Sequence, residues 1–465
     1  MPSTLIDSIF FKDLYGTDDM RAVFSDKNLL QKWLDVEVAL AQAEAEVGLI
    51  PNWAADEIAR KGRADLLDSA AIKRDIDQTV HPIVPVIRAL EAVCEHGAGE
   101  FVHWGATTQD IMDTASVLQI KQAMDIFQSR LRRLSDGLAV LAERHRSTLM
   151  PGRTHGQHAL PITFGFKVAQ WLAEVMRHQE RLTQLKPRVL TGQFGGAAGT
   201  LAAVAEQGFE IQRRMMARLG LNTPLITWHT ARDCMAEFAA WLGLVAATLG
   251  KIAQEVILLQ KTEVWEVEEP FNPGKVGSST MPHKRNPMLC EALLALARLV
   301  INAIPLGLDA MLHEHERDWT NEHIEWAFLP EACIMTDGAL VLTVRVVEGL
   351  HVHVERMAAN LGATRGLWLS EAVMLALAEK VGRQTAHEVV YRCAMRVVDH
   401  GIDFRRALAD EEIVARHLSD SDIDRLLDPQ RYIGLASEFV DRVLERYESM
   451  RAGEYDTKEG GQGCC

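Results

Sequence analysis

Four short polar stretches hold most of the residues in this sequence that could move a proton or hold an anion. The richest is GKVGSSTMPHKRNP at residues 274–287. Gly274, Gly277, Pro282 and Pro287 punctuate it too closely for a helix or a central strand to pass through, so it is a loop. It combines adjacent hydroxyls, Ser278 and Ser279, with the cations Lys275, Lys284 and Arg285, with His283 and with the amide of Asn286. That mixture can grip a carboxylate and transfer a proton. It lacks both the glycine–lysine order of a phosphate-binding loop and the GxGxxG spacing of a dinucleotide site. The other stretches are HWGATTQD at 103–110, GRTHGQH at 152–158, and His81 within DQTVHPIV. A lone histidine at such a break commonly caps a helix or faces water. Four polar clusters at the ends of helices differ, because antiparallel helices bring remote loops to one level.

The elements that must position them are helical. SDKNLLQKWLDVEVALAQAEAEVGLIP, residues 25–51, has a serine cap, apolar residues at helical spacing and a Gly/Pro stop. Longer helical patterns run from residue 113 to about 148, from 161 to about 186 and from 232 to about 268. Helices of that length bury their apolar faces against one another, which predicts an up-and-down bundle. Beyond residue 351 the helices shorten and polar turns return, marking a small C-terminal helical domain. The expected division is an N-terminal helical domain over 1–110, a central bundle over 111–355, the C-terminal domain over 356–455 and a flexible tail over 456–465.

Composition narrows the function. The chain is 48% hydrophobic but 6% aromatic, and alanine and leucine outweigh β-branched residues, which favours an all-α fold. A net charge of -15 opposes nucleic acid and anionic membranes as partners. The start of the chain has no secretory pattern, and its longest unbroken apolar run, beginning at Phe238, falls short of the roughly 18 residues of a membrane span. A soluble, cytoplasmic protein is expected. Cys94, Cys234, Cys290, Cys333 and Cys393 read as reduced, and the terminal Cys464 and Cys465 as part of the tail. No metal site is read: HEHE at 313–316 is not HExxH, and Arg317 and Asp318 beside it suit an ion pair or an anion contact.

GSSTMPHKRNP resembles the signature loop of the fumarase/aspartase superfamily. HWGATTQD and GRTHGQHALPITFG resemble its two other active-site regions, in the family's order and spacing, and the likeness covers nearly the whole chain. It implies a three-domain all-α fold with a central bundle of long helices, a homotetramer with a 20-helix core, and active sites each built from three subunits. No cofactor is implied. Within the superfamily the sequence is most similar to adenylosuccinate lyase and to 3-carboxy-cis,cis-muconate lactonizing enzyme. Ser278 matches the family's catalytic base, His155 its acid or orienting histidine, Glu291 the carboxylate partner of that histidine, and His81 a second active-site histidine. Lys284 and Asn286 match residues that bind the substrate carboxylate, with Lys284 also counted in the catalytic set. Thr107, Thr108 and Gln109 match the opposing hydrogen-bonding wall, and Thr154, Ser279 and Arg317 complete the substrate contacts. The loop's glycines would let it close as a lid over a carbanion.

The departures from the family point to the substrate. Adenylosuccinate lyases show Arg-Tyr where this chain has Leu14 and Tyr15. After HERD at 315–318, where serines and an arginine are expected, it reads WTNEHIEW. Trp326 stands for the arginine and Glu322 is added, both unfavourable to a nucleotide phosphate. HIEW and WHTARD, at 323–326 and 228–233, resemble the lactonizing enzymes, yet those lack the histidines matching His81 and His155. The expected reaction is elimination of fumarate from a non-nucleotide N-substituted aspartate or related substituted succinate, so the partner is a small dicarboxylate or tricarboxylate. The alternatives are carboxymuconate lactonization, adenylosuccinate cleavage and, outside enzymes, a crystallin-like structural role.

Overall fold

The structure, a computed structural model, describes residues 4–453 except Asn272, Pro273 and Lys275. Lys275 and the tail with Cys464 and Cys465 therefore lie outside the described residues. The helices of twelve residues or more are α1 (Asp26–Glu46), α2 (Thr108–Arg144), α3 (Phe164–Val189), α4 (Gly208–Leu219), α5 (Asp233–Leu259), α6 (Met288–Asp309), α7 (Trp319–Gly349), α8 (Ser370–Val381), α9 (Arg383–His400) and α10 (Ala436–Arg451). Strands β1 (Leu149–Thr154) and β2 (Gln157–Thr163) form an antiparallel hairpin, and β3 (Val267–Glu268) pairs with β4 (His351–Val352).

Two compact units share these elements. One comprises Met1–Arg132, Arg177–Gly250 and Ala292–Leu342; the other Arg133–Met176, Lys251–Glu291 and Thr343–Cys465. In the first, α1 starts where Ser25 Oγ accepts the Asn28 N–H at 3.3 Å. Its face of Leu34 and Ala41 packs with Ile58, Val86 and Leu90. Deeper in that unit the Trp241 ring of α5 meets Phe127 of α2 edge-on at 5.4 Å, and its indole N–H donates to the His178 carbonyl at 3.1 Å. The second unit has its own core, in which Val373, Leu377, Val389, Cys393 and Phe404 are buried together. The described cysteines form no disulfide.

Several helix ends differ from the sequence reading. Helix α2 begins at Thr108, five residues early, because the Asp110 carboxylate accepts the Thr107 N–H and stabilises the first turn. Residues 161–163 belong to β2 and not to α3. Helix α5 stops at Leu259: Trp265 has φ +51°, the Glu266 N–H returns to the Leu259 carbonyl, and the chain enters β3. The stretch read as an irregular loop at 152–158 is a hairpin whose two-residue turn, His155 and Gly156, has φ +53° and +75°.

The reading of membrane-length segments also changes. Once a few charged residues are tolerated in the window, α5, α6 and α7 are each long and apolar enough to cross a bilayer by length and composition. Part of that apolar surface is internal, but Leu244, Leu299, Leu306 and Leu308 remain exposed, as does Val140 of α2.

Candidate active site

The functional residues fall into two groups, one in each unit. The first is organised by Asp110, which is fully buried. Its Oδ1 accepts the Gly195 N–H at 2.9 Å and the His229 Nε2–H at 2.8 Å; its Oδ2 accepts Thr107 N–H at 3.0 Å and Gly196 N–H at 2.9 Å. Four donors on one carboxylate lock the turn before α2 to the glycine-rich segment near residue 195. Gln109 extends the lock. Its amide donates to the His229 carbonyl at 2.8 Å and its carbonyl oxygen receives Arg317 Nε–H at 2.9 Å. Arg317 Nη1 donates to the Ala197 carbonyl at 2.8 Å. The arginine is thus aimed by backbone and amide oxygens, with no carboxylate ion pair among the described residues.

His81 joins this group through Thr108. His81 Nδ1 accepts the Val84 N–H at 3.2 Å, which puts the proton of the neutral ring on Nε2, 3.1 Å from Thr108 Oγ1. The threonine hydroxyl then accepts from His81 and keeps its own hydrogen for an anion. Burial and the charge on nearby His103 hold His81 below the usual histidine range. His103, also partly desolvated, is nevertheless held above that range by Glu37, whose Oε1 is 2.6 Å from its Nδ1. The His81 ring lies against Trp319, with centroids 6.5 Å apart, and Trp319 meets Trp326 edge-on at 5.5 Å.

Trp326 opens into a cavity of about 790 Å³ whose wall includes Trp33, Phe24, Leu29, Pro82 and Met112. Its charged lining is mainly acidic, with Asp7, Asp26, Glu325 and Glu331. Arg21, the cation there, is already bound to Asp13 and Asp18. Glu322 behaves differently from the sequence reading. It is 1% exposed, and burial together with the charge of Asp113 raises its carboxyl to about 8, so near neutral pH it is largely an uncharged acid inside the protein. It sits by a buried ionic group in which Arg232 binds Asp113 at 2.8 Å and Glu325 at 2.9 Å.

The second group carries the signature loop. Ser278 Oγ accepts the Met281 N–H at 3.0 Å and the Thr280 N–H at 3.3 Å. Two donors on the hydroxyl oxygen favour the deprotonated form, because hydrogen bonds to an anion stabilise it. Asn286 Nδ2 donates to the Gly277 carbonyl at 2.8 Å. Ser279 and Lys284 are exposed. Just beyond, Glu269 caps α6 by accepting the Leu289 and Cys290 N–H groups at 3.1 and 2.9 Å. Thr154 and His155 stand exposed at the hairpin tip, and Glu291 is exposed in the first turn of α6. Among the described residues His155 and Glu291 share no hydrogen bond or ion pair.

Each group alone therefore holds part of the expected set: His81, Thr107, Thr108, Gln109 and Arg317 in one, Thr154, His155, Ser278, Ser279, Lys284, Asn286 and Glu291 in the other. Asp110, His229 and the Glu37–His103 pair were not singled out from sequence. His229 lay within WHTARD and Asp110 closed HWGATTQD, but only the fold shows that they bond to each other.

A lyase family model matches residues 15–302, and an adenylosuccinate lyase C-terminal model matches 366–443. N-acetyl-S-(2-succino)cysteine lyase of Dickeya dadantii is 44% identical over 444 residues, 96% of this chain and 98% of that protein. 3-carboxy-cis,cis-muconate cycloisomerase of Pseudomonas aeruginosa is 44% identical over 434 residues, 93% of this chain and 95% of that protein. The crystal structure of 3-carboxy-cis,cis-muconate lactonizing enzyme from Pseudomonas putida superposes with a TM-score of 0.89 at 40% identity, covering 96% of this chain and all of that one.

Proposed function

Because the chain belongs to the fumarase/aspartase superfamily of lyases, we propose that it eliminates fumarate from a small, non-nucleotide substituted succinate, with an N-substituted aspartate as the first reading and a sulfur-linked succinate within the same class. The observation that carries this is Ser278, whose Oγ receives two backbone N–H groups before any substrate arrives. A serine hydroxyl is a poor base unless its anion is supported, and this support is preorganised.

In the proposed reaction Ser278 removes a proton from the carbon beside one carboxylate. The carbanion is held as its aci-carboxylate by Lys284 and Asn286, while Thr107, Thr108 and Arg317 grip the carboxylates; Gln109, read from the sequence as a substrate contact, is fully buried with its amide bound to His229 and Arg317, and it orients Arg317 instead. The electron pair then forms the double bond of fumarate, the carbon–heteroatom bond breaks, and the heteroatom takes a proton from His155 or His81. Glu291 is assigned to orient His155, Thr154 and Ser279 to line the site. A homotetramer in which three subunits build each site accounts for an exposed His155 and an exposed Glu291 in one chain, and for the apolar residues left uncovered on α2, α5 and α6. A cytoplasmic setting suits a substrate of this kind.

The cavity beside Trp326 supports a non-nucleotide leaving group. Among the described residues, its aromatic wall and acidic rim offer no free cation for a phosphate, and burying a phosphate unpaired is costly. Carboxymuconate lactonization is the second reading, favoured by the cycloisomerase relative at 44% identity; it uses the same carbanion. The test is a substrate panel followed by ultraviolet absorbance: N-substituted aspartates, S-(2-succino) thioethers, carboxymuconate and adenylosuccinate. Fumarate from the first two supports the reading. Efficient cleavage of adenylosuccinate, comparable to the best small substrate, overturns it.

A further inference from the structure

The signature loop does not hang freely between its ends. Its two sides meet at a neck where Asn286 Nδ2 donates to the Gly277 carbonyl at 2.8 Å. There the backbones are so close that a Cβ added to Gly277 would lie 2.2 Å from the Lys284 carbonyl oxygen and 3.1 Å from Arg285 Cα. A Cβ essentially never comes within 3.0 Å of backbone, so any side chain at 277 would force the two sides of the neck apart. Gly277 is buried, although most of the loop is exposed.

The C-terminal side of the neck is pinned from outside the loop. Arg285 Nη1 reaches both oxygens of Glu268, at 2.9 and 3.2 Å, and its guanidinium lies over the Phe271 ring at 4.7 Å. The Arg285 carbonyl accepts the Gln260 amide at 3.1 Å, and the Gln260 carbonyl oxygen accepts Glu269 N–H at 2.9 Å. Glu268 is only 5% exposed and sits in β3, so the pin is fixed to the unit's interior.

We infer that Gly277, Arg285, Glu268 and Gln260 are positioning residues for Ser278. They form a two-sided neck that fixes the residue immediately before the base, and with it the turn from which the Thr280 and Met281 N–H groups support Ser278 Oγ. Reach explains why the neck matters. A base on a fully mobile loop would spend little time at reaction distance, and an error of about 1 Å there costs on the order of a hundredfold in rate. The inference rests on the proposed role of Ser278, but its physical claim, a rigid neck in the free protein, is testable without any substrate.

The experiment compares wild type with Gly277→Ala, Glu268→Gln, Arg285→Met and Arg285→Lys in the full-length protein. Amide hydrogen exchange of the peptide spanning 276–287 is read first. Gly277→Ala is expected to speed exchange at least tenfold, Arg285→Met and Glu268→Gln by a smaller factor, with Arg285→Lys partly restoring protection. With fumarate as the probe, affinity should stay within about threefold of wild type in Gly277→Ala, whereas kcat on the best substrate falls at least thirtyfold. That split separates positioning from a loss of fold or of binding. Exchange unchanged within twofold in Gly277→Ala, or equal losses in affinity and kcat, would overturn the inference. If the neck loosens as expected but no substituted succinate is turned over, the proposed function fails alone; if turnover is found and exchange is unchanged, the neck fails alone.

Discussion

Replacing Asp110 by Asn changes one oxygen into an NH2 group with almost no change in shape, and the four hydrogen bonds to this carboxylate allow its cost to be worked out. If the NH2 takes the Oδ2 position it confronts the Thr107 and Gly196 N–H groups, stranding two donors. If it takes the Oδ1 position, His229 can exchange tautomers and accept from it, and only the Gly195 N–H is stranded. Each buried donor left unpaired costs about 1–3 kcal/mol, so the better arrangement loses roughly 2 kcal/mol and the worse about 4. The nearest relief is a shift of the segment near 195 or of the Thr107 turn, and either move displaces Arg317 or Thr108. Expressed at the site, this predicts a fall in kcat/KM of about thirtyfold to a thousandfold, at about 1.4 kcal/mol per tenfold. The assay is steady-state fumarate release alongside circular dichroism and thermal melting. Helix content should be unchanged and the melting temperature lowered. A variant with wild-type kcat/KM within threefold would refute the reasoning that Asp110 holds the carboxylate-binding wall in place.

Two further outcomes are expected. Ser278→Ala and His155→Asn should each stay folded and lose most turnover, and mixing the two inactive proteins under conditions of subunit exchange should restore part of it; no recovery after confirmed exchange would count against shared sites. Glu44 is buried without a hydrogen-bond partner for either oxygen among the described residues, and burial, then the charge of Glu37, lifts its carboxyl from 4.5 to about 9. Between those values the folded protein keeps a proton that the unfolded chain has released, so stability falls as pH rises through that window; Glu44→Gln should abolish this slope and gain on the order of 3 kcal/mol at pH 7. Melting temperatures of both proteins from pH 5 to pH 9 decide it, and parallel curves would refute it.

Helix existence was legible in the sequence wherever apolar spacing persisted, as along α1 with its Ser25 cap. Helix ends were less so, because they depend on partners far along the chain: α2 starts where Asp110 receives N–H groups from residues 195 and 196 as well as from Thr107. The hairpin at 152–158 was hidden because its turn begins with His155, not the Asn, Asp or Gly that usually betrays such a turn. Among the site residues, those in loops with unusual composition stood out. Glu322 shows the limit of reading charge from letters: taken as an anion opposing phosphate, it is a buried carboxyl that burial first, and then the charge of Asp113, pushes toward the neutral acid. Its resistance to phosphate passes to the acidic rim and to Trp326.

The uncovered leucines of α5 and α6 also bear on how the protein is made. Leu244, Leu299, Leu306 and Leu308 are exposed on a single folded copy; if the proposed homotetramer covers them, each newly synthesised chain emerges with adhesive faces and must find the right neighbours before the wrong ones. Correct encounter and clumping both depend on concentration. Yield in a heterologous host should therefore improve with slower synthesis at lower temperature or with added chaperones, more than with any change that merely stabilises the individual fold.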